Sequence, residues 1–177
     1  NQFQQLCVAQ NHSLLFIGLF QSRLLMQHLR GFLTVNCASW NRSQIIPEFY
    51  TVTRVSKLRD SHQFRDGHFS FQDVSSGLVT NLLEPTEGDS VLDICAAPGG
   101  KCSYIAELMR NSGSVYAFDV DADRHALLEE SIKRLKLNSV NVEQKDATVD
   151  SFQVSDKILI DAPCTGTGVM AKRADLK

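Results

Sequence analysis

The pattern of hydrophobic and polar residues changes at about residue 72, where short apolar runs begin to alternate with segments of helical periodicity. Short apolar runs predict buried strands, and apolar residues recurring every three or four positions predict a helix with one buried face. Strands that alternate with helices imply right-handed crossovers and a parallel sheet. The predicted strands are Ser90–Cys95, Ser114–Val120, Val140–Gln144 and Lys157–Ile160, and the helices between them are Gly100–Arg110 and Ala122–Leu137.

These two helices each carry one apolar face. On the first helix the face is Cys102, Ile105, Ala106 and Met109, and on the second it is Leu128, Ile132 and Leu135. A further helix is predicted from Gln72 to Leu83, with Asp73 or Ser75 as its N-cap, because Ser and Asp side chains accept hydrogen bonds from free amides of the first turn.

The first 71 residues give a weaker pattern, and we predict them to be a small α/β appendage to the parallel-sheet unit of residues 72–177. Ser13–Phe32 has a wide apolar face, which predicts one helix or a broken pair. Trp40–Tyr50 is predicted to be a loop or a short strand. The β-branched and aromatic residues of Phe49–Val55 predict a strand.

Composition and charge narrow the classes of protein. Hydrophobic residues make up 43% of the 177 residues and charged residues 21%, which suits a packed core. The longest apolar run, Leu14–Phe20, is too short to span a membrane and lacks the flanks of a signal peptide, so we predict a cytoplasmic protein. None of the five cysteines forms a Cys-x-x-Cys pair, and we predict no metal site.

Charge is distributed unevenly along the chain. Residues 1–71 carry seven basic and three acidic groups, whereas residues 72–177 carry eleven and seventeen. The basic front of the chain suits a polyanion such as RNA, but a solvated surface explains the same charge equally well.

The stretch Cys95–Lys101, C-A-A-P-G-G-K, follows the first strand of the predicted parallel sheet. A phosphate-binding loop would require Gly where Cys95 stands and Ser or Thr where Cys102 stands. Glycines ahead of a helix N-terminus allow a ligand carboxylate or phosphate to approach the backbone, although a tight turn alone would also use them. The loop is therefore a candidate ligand site without the signature of a nucleoside triphosphate.

Three acidic residues follow later strands of the same sheet. Asp119 lies about 20 residues beyond the loop, as does the acid that binds ribose hydroxyls in dinucleotide folds, although it could instead cap the next helix. Asp146 is predicted either to approach an adenine amino group or to cap a turn. Asp161 opens D-A-P-C-T-G-T-G, which places a carboxylate and the thiol of Cys164 near the mouth of the sheet. S-adenosylmethionine, with a ribose and a carboxylate but no phosphate, fits this set better than ATP or NAD.

Together these motifs resemble the RNA 5-methylcytosine methyltransferases of the Sun/Fmu (RsmB-like) group. The matching stretches are Phe69–Val79, Cys95–Lys101, Asp119 with Asp121–Arg124, Asp146-Ala147 and Asp161–Gly168. The resemblance implies a Rossmann-like class I methyltransferase fold, S-adenosylmethionine as cofactor and an RNA substrate, with ribosomal RNA expected. It implies cofactor contacts by Cys95, Ala96, Ala97, Pro98, Gly99, Gly100, Lys101, Asp119, Arg124, Asp146 and Asp161.

The catalytic chemistry of that group calls for a thiol, because carbon 5 of cytosine becomes nucleophilic only after a thiolate adds to carbon 6. The resemblance implies that Asp161 protonates or hydrogen-bonds N3, that Lys101 lowers the pKa of a nearby thiol, and that Cys164 assists product release. The attacking cysteine of the group lies in a later Thr-Cys pair, which this sequence lacks. We therefore expect a sheet incomplete at its C-terminus and the cofactor-binding half of an enzyme. The alternatives are a non-catalytic module that binds S-adenosylmethionine or RNA, and a cytosine methyltransferase that uses Cys164 as its nucleophile.

Overall fold

The described part of the chain forms two four-stranded sheets with helices packed on them. The structure is a computed structural model that describes residues 13–16, 31–36, 39–53 and 55–163. The strands are β1 Ser13–Phe16, β2 Trp40–Arg42, β3 Phe49–Val52, β4 Ser70–Phe71, β5 Ser90–Ile94, β6 Ser114–Asp119, β7 Val140–Gln144 and β8 Lys157–Ile160. Residues 31–36 are helical, and the other helices are α1 Val55–Arg59, α2 His62–Arg65, α3 Val74–Leu82, α4 Gly100–Leu108 and α5 Ala122–Leu135. None of these described helices combines the length and hydropathy that crossing a membrane requires.

The second sheet is parallel throughout, with the strand order β7-β6-β5-β8. Ile94 at the end of β5 pairs with Phe118 on one side and Ile160 on the other, so three strands end at one edge. This confirms the predicted α/β class and all four predicted strands. Strand β5 ends one residue earlier than predicted because Cys95, at φ 73°, turns away from the sheet.

The apolar faces predicted for the two crossover helices are buried against this sheet. On α4, Cys102, Ile105 and Ala106 are fully buried, as is Met109 at its C-cap, and on α5 Leu128 and Ile132 are buried while Leu135 is partly buried. Both helices end earlier than predicted, α4 at Leu108 and α5 at Leu135. The predicted helix before β5 is α3, and Asp73 is its N-cap, accepting a hydrogen bond from the amide of Ser75 at 2.8 Å.

The first sheet is antiparallel, with the order β2-β3-β1-β4, and it corrects the prediction of a helix over Ser13–Phe32. Ser13–Phe16 is strand β1, which pairs with β3 on one side and β4 on the other. Residues 17–30 lie outside the described residues. Pairing on both sides with strands distant in sequence outweighs the local helical pattern. The strand predicted over Phe49–Val55 ends at Val52, and Val55 begins α1.

The antiparallel sheet packs on the parallel-sheet unit through an aromatic contact. The rings of Phe49 from β3 and Tyr104 from α4 meet edge to face, with centroids 5.3 Å apart. Gly77 of α3 lies beneath this contact, and a Cβ atom there would come within 2.6 Å of Cζ of Phe49. The predicted domain division between residues 71 and 72 coincides with the end of β4, but both sides share this packing and the division stays a prediction.

A second link between the two sheets is made by Arg134 of α5. Its Nη1 donates to the carbonyl oxygens of Phe64 at 2.6 Å and Phe69 at 3.0 Å. Its guanidinium carbon lies 4.0 Å from the centroid of the Phe64 ring, a cation–π contact. A single side chain therefore holds the α2–β4 connection against α5.

We expect Arg134→Met to lower the free energy of unfolding by about 2 kcal/mol, because methionine keeps the aliphatic packing but cannot donate the hydrogen bonds to the carbonyl oxygens of Phe64 and Phe69. The matched control is Arg110→Met, since Arg110 is 79% exposed and pairs only with the exposed Glu87 among the described residues. Urea unfolding of both variants measures the difference. Equal midpoints for the two variants would contradict a structural role for Arg134.

Candidate functional site

The glycine loop lies at the edge where β5, β6 and β8 end. Gly99 is the N-cap of α4 with φ 104°, a conformation that favours glycine, and its amide donates to the carbonyl oxygen of Ala96 at 2.9 Å. A Cβ atom on Gly99 would lie only 3.0 Å from Cδ1 of Leu128. The side chain of Ser103 donates to the Gly99 carbonyl oxygen at 2.6 Å. The loop is thus a fixed turn whose last residues open α4.

Asp119, the last residue of β6, accepts a hydrogen bond from this loop. Its side chain is 2% exposed; Oδ2 accepts from the amide of Ala97 and Oδ1 from that of Asp121, both at 3.1 Å. Asp119 does not cap α5, because Asp121 takes that position and accepts from the amides of Asp123 and Arg124. A carboxylate has about four acceptor positions, so Asp119 retains capacity beyond these two hydrogen bonds.

Arg124, predicted to lie near the cofactor, is a residue of α5 whose side chain contacts the loop. Its Nη2 donates to the carbonyl oxygen of Ala97 at 2.5 Å and lies 3.6 Å from Oδ2 of Asp119. The amide and the carbonyl of Ala97 are therefore both held, one by Asp119 and one by Arg124. This geometry makes Arg124 a positioning residue for the loop.

Lys101 and Asp161 meet although sixty positions separate them in sequence. Nζ of Lys101, in the first turn of α4, lies 2.5 Å from Oδ2 of Asp161, just after β8. The lysine side chain is 21% exposed and the aspartate side chain 57% exposed, so the pair stands at the open rim of the site. Cys164, the third residue predicted to be catalytic, lies outside the described residues.

A pocket of about 190 Å³ separates the loop from the start of α3. Its lining residues are Phe71, Gln72, Asp73, Ser76, Asp93, Cys95, Ala96, Ala97, Pro98, Gly100 and Lys101. Most of the predicted loop residues line it, whereas Gln72 and Asp93 were not predicted. Asp93 could have been found, because it is the only charged residue in the apolar run S-V-L-D-I-C. Gln72 has no such local signal.

Asp93 is a carboxyl group in an unusual position, 1% exposed in the middle of the core strand β5. Burial raises its pKa to about 7; Lys101 opposes the shift, and Asp161 and Asp119 add to it. The amide of Cys102 faces this carboxyl group and favours its charged form weakly, but neither oxygen has a hydrogen bond of good geometry within the described ranges. Asp93 therefore lacks the partners that buried carboxyl groups ordinarily have.

The cysteines near the loop are not activated thiols. Burial raises the pKa of the Cys95 thiol, and Asp119 and Asp93 raise it further. Burial also holds the pKa of Cys102 well above its usual value, with Asp93 adding to the shift. Neither Cys95 nor Cys102 is thus a thiol with a lowered pKa, and the expectation that Lys101 lowers the pKa of a nearby thiol stays a prediction. Within residues 13–16, 31–36, 39–53 and 55–163, no group of three or more His, Cys, Asp or Glu side chains is arranged to hold a metal ion.

Asp146 lies in the connection between β7 and β8 and forms a turn. Its Oδ1 accepts from the amide of Thr148 at 2.8 Å and from the Thr148 hydroxyl at 2.7 Å, and these hydrogen bonds lower its pKa. Its own amide donates to Oδ2 of Asp150 at 2.7 Å. The structure thus bears out the turn, one of the two predicted roles, while a contact with adenine stays a prediction.

Relatives and solved structures show similarity over most of the chain. It is 44% identical to a Bacillus subtilis protein named Probable ribosomal RNA small subunit methyltransferase B, over 68% of this chain and 28% of that protein. It is 40% identical to a Pyrococcus horikoshii tRNA (cytosine(72)-C(5))-methyltransferase, over 72% of this chain and 32% of that protein. A solved methyltransferase homolog protein from Pyrococcus horikoshii superposes with a TM-score of 0.76 at 29% identity, over 94% of this chain and 55% of that one. The chain spans less than a third of the length of the two curated relatives.

A family model described as 16S rRNA methyltransferase RsmB/F matches residues 80–177. The matched stretch is more than half of the chain, and it contains the glycine loop, Asp119, Asp146 and Asp161. The family resemblance predicted from the motifs is therefore confirmed, and so is the methyltransferase fold that it implied. The chain belongs to the RsmB/F methyltransferase family.

Proposed function

We propose that this chain provides the S-adenosylmethionine-binding part of an RNA cytosine-C5 methyltransferase. The observation that carries the proposal is the loop Cys95–Gly100, held by Asp119 at the carboxyl edge of a parallel sheet, in a chain of the RsmB/F family. Ligands of open α/β sheets bind at this edge. The named activities of the two curated relatives, methylation of ribosomal RNA and of cytosine in tRNA, support the substrate class.

The residues present fit this cofactor chemically. The pocket beside the loop contains a buried carboxyl group and a buried amide without partners in the part of the chain that the structure describes. S-adenosylmethionine carries an ammonium, a carboxylate and a ribose but no phosphate, and the loop has no phosphate-binding Lys-Ser or Lys-Thr pair. When bound, the cofactor supplies an electrophilic methyl group. Asp119 and the loop are proposed to bind its ribose and methionine ends, with Asp146 near the adenine.

The rim of the site is proposed to act on the target cytosine. Lys101 holds Asp161 at 2.5 Å. In its protonated form the carboxyl group of Asp161 can donate a hydrogen bond, or its proton, to N3 of a base that has left its stack. A thiolate must add to carbon 6 of that base before carbon 5 can accept the methyl group. Cys164 follows Asp161 by three positions, and the proposed role for its thiol is to assist release of the product.

We propose that the RNA approaches the site across the antiparallel sheet. We also propose that the protein is cytoplasmic. Lys57, Arg59 and Arg65 are exposed on α1 and α2. The guanidinium of Arg59 lies 5.2 Å from the centroid of the Phe71 ring, and Phe71 lines the pocket. Arg59 therefore places a positive charge beside a residue that lines the pocket, where it can contact an RNA phosphate. Ribosomal RNA is the proposed substrate, because the relative with 44% identity carries that name.

The role of Asp119 is tested by the affinity for S-adenosylhomocysteine. We expect Asp119→Asn to weaken binding about ten- to a hundredfold, since it removes the charge that accepts hydrogen bonds from ribose hydroxyls. Isothermal titration calorimetry measures the change, and Asp123→Asn, an exposed acid in the same region, serves as control. Urea unfolding shows whether the loop remains folded. Affinity unchanged in a folded Asp119→Asn variant would remove Asp119 from the site.

The assignment of this chain to cofactor binding is tested with labelled S-adenosylmethionine and a cytosine-containing ribosomal RNA fragment. Because these residues contain no Thr-Cys pair, we expect cofactor binding without methyl transfer. Transfer that disappears in Cys164→Ala would instead make Cys164 the nucleophile. Retained cofactor binding with no affinity for RNA would favour a cofactor-binding module over part of an RNA enzyme.

A further inference from the structure

A groove lies between strand β7 and the last turns of α5, at the opposite end of that helix from the glycine loop. Its volume is about 540 Å³, within the range of about 300–1,000 Å³ that ligand-binding clefts have. Its floor is aliphatic and consists of Ile132, Leu137, Val140 and Val142, of which the first three are buried and the last is partly buried. We refer to this feature as the β7 groove.

Strand β7 is an edge strand of the parallel sheet, and among the described strands it pairs only with β6. The carbonyl oxygen of Ser139, just before β7, accepts from the amide of Val115 at 2.8 Å. The amide of Lys145, just after β7, donates to the carbonyl oxygen of Asp119 at 3.2 Å. Backbone groups alternate in direction along a strand, so Val142, three positions from each, directs its amide and carbonyl to the open edge. Such an edge is a template for another strand.

The side chains of β7 divide between the two faces of the sheet. Val140 and Val142 lie on the face covered by α4 and α5, where they belong to the same core cluster. Glu143 and Lys145 alternate with them on the other face and pair with each other at 3.1 Å. A strand added beside β7 would therefore place every second side chain over the β7 groove.

The rim of the β7 groove is basic. Lys133, in the last turn of α5, and Lys136, its C-cap, are exposed, and neither forms an ion pair within the described residues. Glu129 is the only acidic residue among the described residues of the lining. Carboxylates on a ligand would therefore meet complementary charge here.

The lining favours a polypeptide over RNA as the occupant. Unpaired bases of RNA bind by stacking on aromatic side chains, and no aromatic residue is present among the described residues that line the groove. An extended peptide, in contrast, uses all three features found here. It pairs with an open strand edge, its alternate side chains enter an aliphatic groove, and its acidic residues contact lysines.

We propose that the β7 groove binds an extended, acidic segment of a partner protein, which adds a strand beside β7. Aliphatic side chains of that segment occupy the floor, and its carboxylates contact Lys133 and Lys136. The groove lies away from the glycine loop, so a bound partner leaves the candidate cofactor site open. The inference uses no property of the cofactor and is independent of the proposed function.

The test uses a fluorescein-labelled peptide of sequence E-T-V-T-V-T-E, in which the two valines and the two glutamates share one face of a strand. Fluorescence anisotropy with the 177-residue chain should show saturable binding. The peptide K-T-V-T-V-T-K should bind about tenfold more weakly, because lysines would then face Lys133 and Lys136. A third peptide, E-T-V-T-V-T-E with every backbone amide methylated, should not bind, because it cannot donate hydrogen bonds to the strand edge.

Variants of the chain test the same contacts from the protein side. Lys133→Glu combined with Lys136→Glu should reverse the preference, so that the lysine peptide binds about tenfold more tightly than the glutamate peptide. Val142→Thr should weaken both peptides about fourfold, the effect of about one methyl group lost from the groove. The matched control is Lys57→Glu, an exposed lysine on α1, which should change neither affinity. Urea midpoints check that each variant is folded.

Three outcomes would overturn the proposal. The first is no saturable binding of the glutamate peptide at about 1 mM, or a preference between the two peptides that the lysine variant leaves unchanged. The second is binding of a labelled single-stranded RNA, and not of the peptide, that is lost in the lysine variant, which would assign the groove to RNA. The third is a dimer in sedimentation equilibrium that Val142→Thr dissociates, which would assign the groove to a second copy of this chain.

Discussion

The site depends on the way in which Asp119 holds the glycine loop. A loop that leaves a strand and enters a helix within six residues has few backbone hydrogen bonds of its own, and its amides would otherwise be free to reorient. The buried carboxylate accepts the amide of Ala97 at 3.1 Å, while Arg124 binds the carbonyl oxygen of the same residue. The backbone amide and the carbonyl oxygen of Ala97 are thus held by residues of β6 and α5. These two hydrogen bonds help to set the direction of the loop, the start of α4 and the position of Lys101.

The arrangement gives several residues a structural role beside their proposed chemical one. Asp119 supports the loop with the same carboxylate that is proposed to bind ribose, and Asp146 forms a turn with the carboxylate proposed to approach adenine. Lys101 and Asp161 neutralise each other at the rim. Among the residues that line the pocket, the buried polar side chains without such internal partners in the described part of the chain are Gln72 and Asp93.

The sequence predicts those features that depend on local pattern. The four parallel strands, the buried faces of α4 and α5, the loop and the acids at the strand ends all leave a periodic or motif signal. Features that depend on contacts between distant segments leave none. Strand β1 is stabilised by β3 and β4, so the helix predicted over Ser13–Phe32 is wrong at Ser13–Phe16. Gln72 is one polar residue in a polar stretch, and only the packing of the antiparallel sheet against α4 places its amide over Gly100.

The central claim, that the edge of the parallel sheet binds S-adenosylmethionine through the loop and the pocket beside it, is tested most directly by amide chemical shifts. A 15N-labelled chain titrated with S-adenosylhomocysteine should show its largest changes at the backbone amides of Ala97, Gly100 and Lys101 and at the side-chain amide of Gln72. Changes confined to the groove of Lys133, Lys136 and Asn138 at the opposite end of α5, or no change at saturating ligand, would contradict the account.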